Sequence, residues 1–173
     1  MIDHVGELMD VGLDSMKLEG RAKSAYYAAI VTGAYRHAID AAFEGKPLDP
    51  VWRDEVEHIS HRHYSTGFYY GQPGQFTQDS RYVRDWQIVA KVEQCDENGR
   101  ALCSLNNKFR LGDELVVVGP DTRPFPITAA GMEDEEGNAI EEARTPQMRF
   151  YLQLPQQVPA HSMIRRSVDL SAK

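Results

Sequence analysis

The sequence predicts an α+β fold whose first half is mainly helical and whose second half is a small antiparallel β structure. Two observations carry this. Tyr27, Ile30, Val31, Ala34, Tyr35, Ala38, Ile39 and Ala42 recur at three- and four-residue spacing, which places them on one helical face. From Tyr82 onward the period drops to two, with Trp86, Ile88, Ala90 and Val92 alternating with polar residues. Short alternating runs broken by regular turn signals suggest a small barrel or sandwich.

The elements follow in order. Asp3 to Met9 is a short amphipathic segment that Gly12 breaks, and Asp14 to Leu18 reads as a short strand. Ser24 is placed to cap the long helix, which should end at Gly45 with Pro47 just beyond. Asp49-Pro50 opens a second helix, roughly Val51 to Ile59. Ser60 to Ser80 is rich in His, Tyr, Gly and Gln and lacks any period. Its Phe68 to Gln78 portion reads equally as a lid or a linker.

In the second half, Asp96 to Gly99 forms a turn. The alternation then pairs Cys95 with Arg100, Val92 with Cys103 and Ala90 with Leu105. That register sets Cys103 on the apolar face and Cys95 on the other. Glu114 to Val118, Phe125 to Met132 and Met148 to Leu154 are further strand candidates, with a second turn at Glu135 to Asn138.

Helix, tight loop, strand and helix form the grammar of an α/β fold with a parallel sheet. A parallel strand needs neighbours, and residues 14–18 have none in this sequence. The expectation is therefore a chain cut from a longer one.

Composition narrows the function classes. The chain has 173 residues and a net charge of -7, which does not suit a broad basic nucleic-acid surface. Charge is uneven, however. Residues 1–99 hold ten basic and sixteen acidic side chains, whereas residues 100–173 hold nine and ten, so a local basic face in the second half is open. No apolar run is long enough to span a membrane. The N-terminus lacks the regions of a signal peptide, and the expected location is the cytoplasm. Two cysteines are too few for a disulfide scaffold or a complete thiolate metal site.

Gly12 to Ser24 reads GLDSMKLEGRAKS, and it resembles a long, specific motif of the peptidase U32 family, G-[IV]-D-S-[FLM]-K-[IL]-E-G-R-x-K-S. Ser60 to Phe68 (SHRHYSTGF) is similar to that family's S-H-R-x-[YF]-[ST]-x-G-[FY], and Asn107-Lys108-Phe109 with Gly112 to Leu115 resembles its C-terminal domain. The resemblance covers nearly the whole chain. It implies the last β/α unit of a (β/α) barrel over residues 1–59, a connecting loop over 60–81, and a small antiparallel β-barrel like those of translation factors over 82–173.

The resemblance also implies divided activities. Some members are described as collagenase-like proteases. Others hydroxylate a tRNA wobble uridine or a ribosomal RNA cytidine, and others a quinone precursor with an iron–sulfur cluster. The family's cysteines lie upstream, and this sequence begins just past the last of them. Any cluster would then belong to the full-length protein, with no cofactor held by this chain. The upstream catalytic domain is the implied partner, and tRNA or rRNA the implied substrate. The residues themselves show no Cys-His or Ser-His-Asp arrangement and no HExxH helix, so nothing in them supports a protease.

Chemistry in (β/α) barrels sits at the C-terminal ends of strands. That rule singles out Lys17, Glu19, Arg21 and Lys23 as a rim suited to a phosphate or dicarboxylate. The bland reading of the same residues is a buried ion pair between Glu19 and Arg21 or Lys17. His61, Arg62 and Tyr64 are candidate loop contacts. His58, His61 and His63 have ligand types but straddle a helix end and a loop, so packing is preferred to metal. Lys108, Arg110, Arg149, Arg165 and Arg166 are the candidate RNA face of the barrel, although intervening acids favour an ordinary solvated surface. A rim of an enzyme, an RNA- or protein-binding module, and a purely structural module all remain readings of the chain.

Overall fold

The Ser24 hydroxyl accepts the Tyr27 N–H at 3.2 Å and starts a 19-residue helix. A computed structural model describes residues 1–74 and 82–168, in two compact units that divide between Asp85 and Trp86.

The first unit is helical. A 3₁₀ turn at Ile2–His4 leads into α1 (Val5–Asp10), followed by α2 (Ala25–Phe43) and α3 (Pro50–Glu57). The end of α2 follows the sequence signal. Gly45 has φ of 66°, its N–H bonds Ala42 O, and the Lys46 N–H bonds Ala41 O. Those two bonds satisfy carbonyls that a helix end would otherwise leave open. Asp49 caps α3 by accepting the Val51 N–H at 3.0 Å, with Pro50 in the first turn. Ile2, Val5, Ala34, Ala38 and Val56 form the buried centre, and Met9, Met16, Tyr35 and Trp52 pack around it.

Residues 14–18, expected as a strand, form no strand. A strand is held by ladder bonds to a neighbour, and among the described residues none lies beside it. Met16 alone of that segment tucks against the helical core, and its neighbours on both sides are exposed.

The second unit is a six-stranded antiparallel sheet. Its strands are β1 (Trp86–Cys95), β2 (Arg100–Leu105), β4 (Glu114–Gly119), β5 (Thr122–Thr128), β7 (Arg149–Gln153) and β8 (Met163–Ser167). The order across the sheet is β5-β4-β8-β1-β2-β7, and β3 (Phe109–Arg110) pairs with β6 (Glu142–Ala143) in a separate ribbon. The expected closed barrel is not formed. Closure needs the two end strands to share a ladder, whereas β5 and β7 stand at opposite ends of the order. Val89, Val92, Cys103, Leu115, Phe150, Leu152 and Ile164 are central to its core. β5 begins three residues before the expected Phe125 and ends at Thr128. β8 was not expected as a strand.

The β1–β2 hairpin keeps the expected pairs Val92–Cys103 and Ala90–Leu105. Beyond Val92 the register slips at a bulge, and Cys95 lies opposite Ala101 instead of Arg100. An extra residue on one strand turns every later side chain to the other face. Cys95 is therefore not on the outer face, and its half-buried side chain packs against the core that encloses Cys103.

Both thiols are free, but their surroundings differ. Burial pushes the Cys103 thiol from an ordinary value near 9 up to about 12, with the nearby Cys95 and Glu93 adding to it. The fold thus favours the neutral thiol over the thiolate. Its contribution to stability is thus intact below about pH 9 and is lost as pH rises towards 12. At pH 8, iodoacetamide is expected to modify Cys95 in the native protein and spare Cys103, with both reacting in denaturant. Equal native rates would contradict this placement.

Candidate functional site

Residues 12–24 run over the surface of the helical unit. Lys17, Glu19 and Arg21 are all exposed. Glu19 Oε1 accepts the Arg21 backbone N–H at 3.0 Å, which fixes a local turn. The alternative of a buried ion pair is ruled out by this exposure.

Lys23 behaves differently from the other three rim candidates. Its ammonium donates to the Ser60 carbonyl at 3.1 Å and sits 3.8 Å from the centroid of the Tyr82 ring, with Tyr27 on another side at 5.2 Å. A cation over a ring face is attracted by the π quadrupole. Arg62 and Arg84 approach the same ring, at 5.1 and 5.8 Å.

The backbone explains this convergence. His61 and Val83 form an isolated antiparallel bridge, with Val83 N donating to His61 O at 2.9 Å. Side chains alternate across paired backbone, so Arg62, Tyr82 and Arg84 lie on the side opposite His61 and Val83. Arg62, Tyr82 and Arg84 are exposed, whereas His61 is buried.

The remaining loop candidates serve packing. His61 stacks on Tyr64 with centroids 4.5 Å apart and planes at 7°, and its Nε2 lies 3.2 Å from Glu57 Oε2. The Tyr64 hydroxyl donates to Val56 O at 2.6 Å, and burial raises its pKa above that of a free tyrosine. Farther along, the Tyr70 hydroxyl donates to Glu7 and lies 2.8 Å from His4 Nδ1. Residues 60–74 thus fold back on the helices, and the part of the lid-or-linker stretch from Gln75 to Gln78 lies outside the described residues. Among the described residues, no three His, Cys, Asp or Glu side chains converge as metal ligands.

The arginines expected to line an RNA face of the second unit are mostly engaged there. Arg149 pairs with Glu93 at 2.9 Å and with Glu135 at 3.2 Å, and Arg166 lies 3.4 Å from Asp113. Arg165 is only 1% exposed, with its guanidinium 4.6 Å from the Trp86 ring, so it belongs to no surface. On β8 it alternates with the core residue Ile164, so it is covered on the opposite face of the sheet, opposite Ile88 and Val116 in the ladder. Lys108 and Arg110 are exposed. An open cleft of about 590 Å³ beside the β1 bulge, lined by Glu93, Gln94, Cys95 and residues 157–160, gathers no cationic or nucleophilic set apart from that single thiol.

Structure therefore joins Lys23 and Arg62, which the sequence had placed in separate groups, and adds Tyr82 and Arg84, which it had missed. A signal was present: Tyr82 and Arg84 are two residues apart at the start of the period-two region.

Residues 1–79 match the family model described as peptidase family U32, and residues 84–165 match that of the peptidase family U32 C-terminal domain. The chain belongs to peptidase family U32. Among relatives, it is 30% identical to the tRNA hydroxylation protein P1 of Bacillus subtilis (strain 168), over 96% of this chain and 41% of that protein. It is 34% identical to the tRNA hydroxylation protein P of Escherichia coli (strain K12), over 90% of this chain and 35% of that protein. Names in the family divide, since a Porphyromonas gingivalis relative is called a collagenase. A crystal structure of the C-terminal domain of a Geobacillus thermoleovorans protein named as a U32 peptidase, in selenomethionine form, aligns with 46% of this chain and 99% of its own. It does so with a TM-score of 0.45 and 28% identity. The U32 chain described here spans less than half the length of the two tRNA hydroxylation relatives. Its own two thiols do not fit an iron–sulfur cluster, which needs about four thiolates. No helix among the described residues is long and apolar enough to cross a membrane.

Proposed function

We propose that this chain is part of an RNA-hydroxylating U32 protein and is inactive without the rest of it. Residues 12–24 would contribute a ligand-facing rim, with Lys17 and Arg21 as cations for an anionic group and Glu19 holding the turn between them. The observation that carries this reading is the exposure of the longest family motif in the chain. Lys17, Glu19 and Arg21 face solvent, and Glu19 is used only to shape the local backbone. The relatives named tRNA hydroxylation proteins supply the substrate class.

The test is nucleoside mass spectrometry of tRNA and ribosomal RNA from a strain lacking the full-length gene. Loss of a nucleoside heavier by one oxygen atom, restored by the wild-type gene, is expected. Arg21→Ala should restore about tenfold less or worse, as for loss of one charged hydrogen bond. Its fold should be unchanged, because exposed substitutions cost little. Full restoration by both Arg21→Ala and Glu19→Gln would remove the rim from the mechanism. An unchanged nucleoside profile in the deletion strain would favour the protease or quinone activities.

For the sheet unit a structural role is favoured by one observation: Arg149 and Arg166 are spent on neighbouring carboxylates and Arg165 is inside.

A further inference from the structure

We infer that Arg62 and Arg84, both set against the ring of Tyr82, form a binding site for the phosphodiester backbone of RNA. This rests on the RNA reading above and adds a binding surface distinct from residues 12–21.

Three cations from three separate stretches of chain, Lys23, Arg62 and Arg84, lie within 5.8 Å of the centroid of one tyrosine ring. The chain as a whole carries a net charge of -7, so chance does not favour such a concentration. Lys23 is committed to the Ser60 carbonyl and to the ring, and it acts as the floor of the site. Arg62 and Arg84 are exposed, and the interactions they make among the described residues are with the ring face rather than with a carboxylate. A guanidinium lying against an aromatic ring keeps its N–H fork free to meet two oxygens of a phosphate. The His61–Val83 bridge fixes the spacing of the two arginines, and buried His61 stacked on Tyr64 holds that bridge to α3. The site is therefore preorganised, which reduces the ordering required when RNA binds. The contrast with the sheet unit is in charge. There Arg149 and Arg166 sit beside acids that would repel a phosphate, whereas the ring beside Arg62 and Arg84 carries no charge.

Binding of total tRNA to the full-length protein, followed by fluorescence anisotropy across a series of salt concentrations, tests this. Removing one cation that neutralises a phosphate should flatten the slope of log affinity against log salt by about one. Arg62→Ala with Arg84→Ala is expected to weaken binding about tenfold or more and to flatten the slope by about two. Arg62→Lys with Arg84→Lys, which keeps the charges, should retain the slope, and this guards against a folding defect. Lys108→Ala with Arg110→Ala should leave binding unchanged. The inference is overturned if the double alanine variant binds with wild-type affinity and slope, if the loss falls on Lys108 and Arg110 instead, or if the wild-type protein does not bind tRNA. The deletion-strain nucleoside profile judges the RNA-hydroxylation reading separately. An unchanged profile together with an arginine-dependent slope would sink that reading and leave this site standing.

Discussion

Gly99→Ala is expected to destabilise the sheet unit by about 3 kcal/mol or more, from backbone strain and steric overlap together. Gly99 has φ of 81°, and a methyl group there would stand 2.3 Å from the backbone oxygen of Leu154. The neighbour cannot move away freely, because the Leu154 N–H bonds Gly99 O at 2.8 Å and so clamps the two strands at this point. Gly137 is the control. It has φ of 86° with nothing within 4 Å, so Gly137→Ala bears only the conformational cost, about 1 kcal/mol. Urea unfolding followed by Trp86 fluorescence, in a Trp52→Phe background so that the signal reports the sheet unit alone, separates the two. Equal losses at both glycines would mean that the Leu154 carbonyl does not constrain the turn.

The second large effect is expected at Phe150. Its side chain is fully buried and meets Phe109 edge-on, with centroids 5.6 Å apart at 60°. Phe150→Ala should cost about 3–5 kcal/mol, which is enough to unfold a marginal unit of this size. Phe150→Leu retains much of the buried area and should lose distinctly less in the same assay. If Phe150→Ala loses under about 1 kcal/mol, the core is not organised around this ring.

Much of the fold was legible because local rules decide it. Ser24, Gly45 and Asp49-Pro50 mark helix ends through hydrogen bonds made within a few residues, and each cap forms as the sequence indicates. The hairpin register followed from alternation as far as Val92. Alternation carries no information about an inserted residue, so the bulge and the inward turn of Cys95 were hidden. β8 was hidden for another reason: Arg165-Arg166 reads as surface, although Arg165 is inside. Residues 14–18 have the local pattern of a strand, but pairing is a non-local property. For the candidate site, Lys17, Glu19 and Arg21 were named from the motif, with their exposure unknown. The spacing of Tyr82 and Arg84 was visible, but not their meeting with Arg62, because a single backbone bridge brings positions 62 and 84 together across more than twenty residues of chain.

The sheet order has a consequence for biosynthesis. β8 comes last among the described strands yet sits between β4 and β1. Until it is made, the six-stranded sheet exists as a β4–β5 pair and a β1–β2–β7 trio, with no ladder among the described residues joining them. On a ribosome, the unit must therefore wait with two apolar half-sheets exposed until residues 163–167 clear the exit tunnel. A premature stop before Met163 would remove only a small part of the unit's mass but would leave two halves that expose their cores, a product suited to chaperones and proteases.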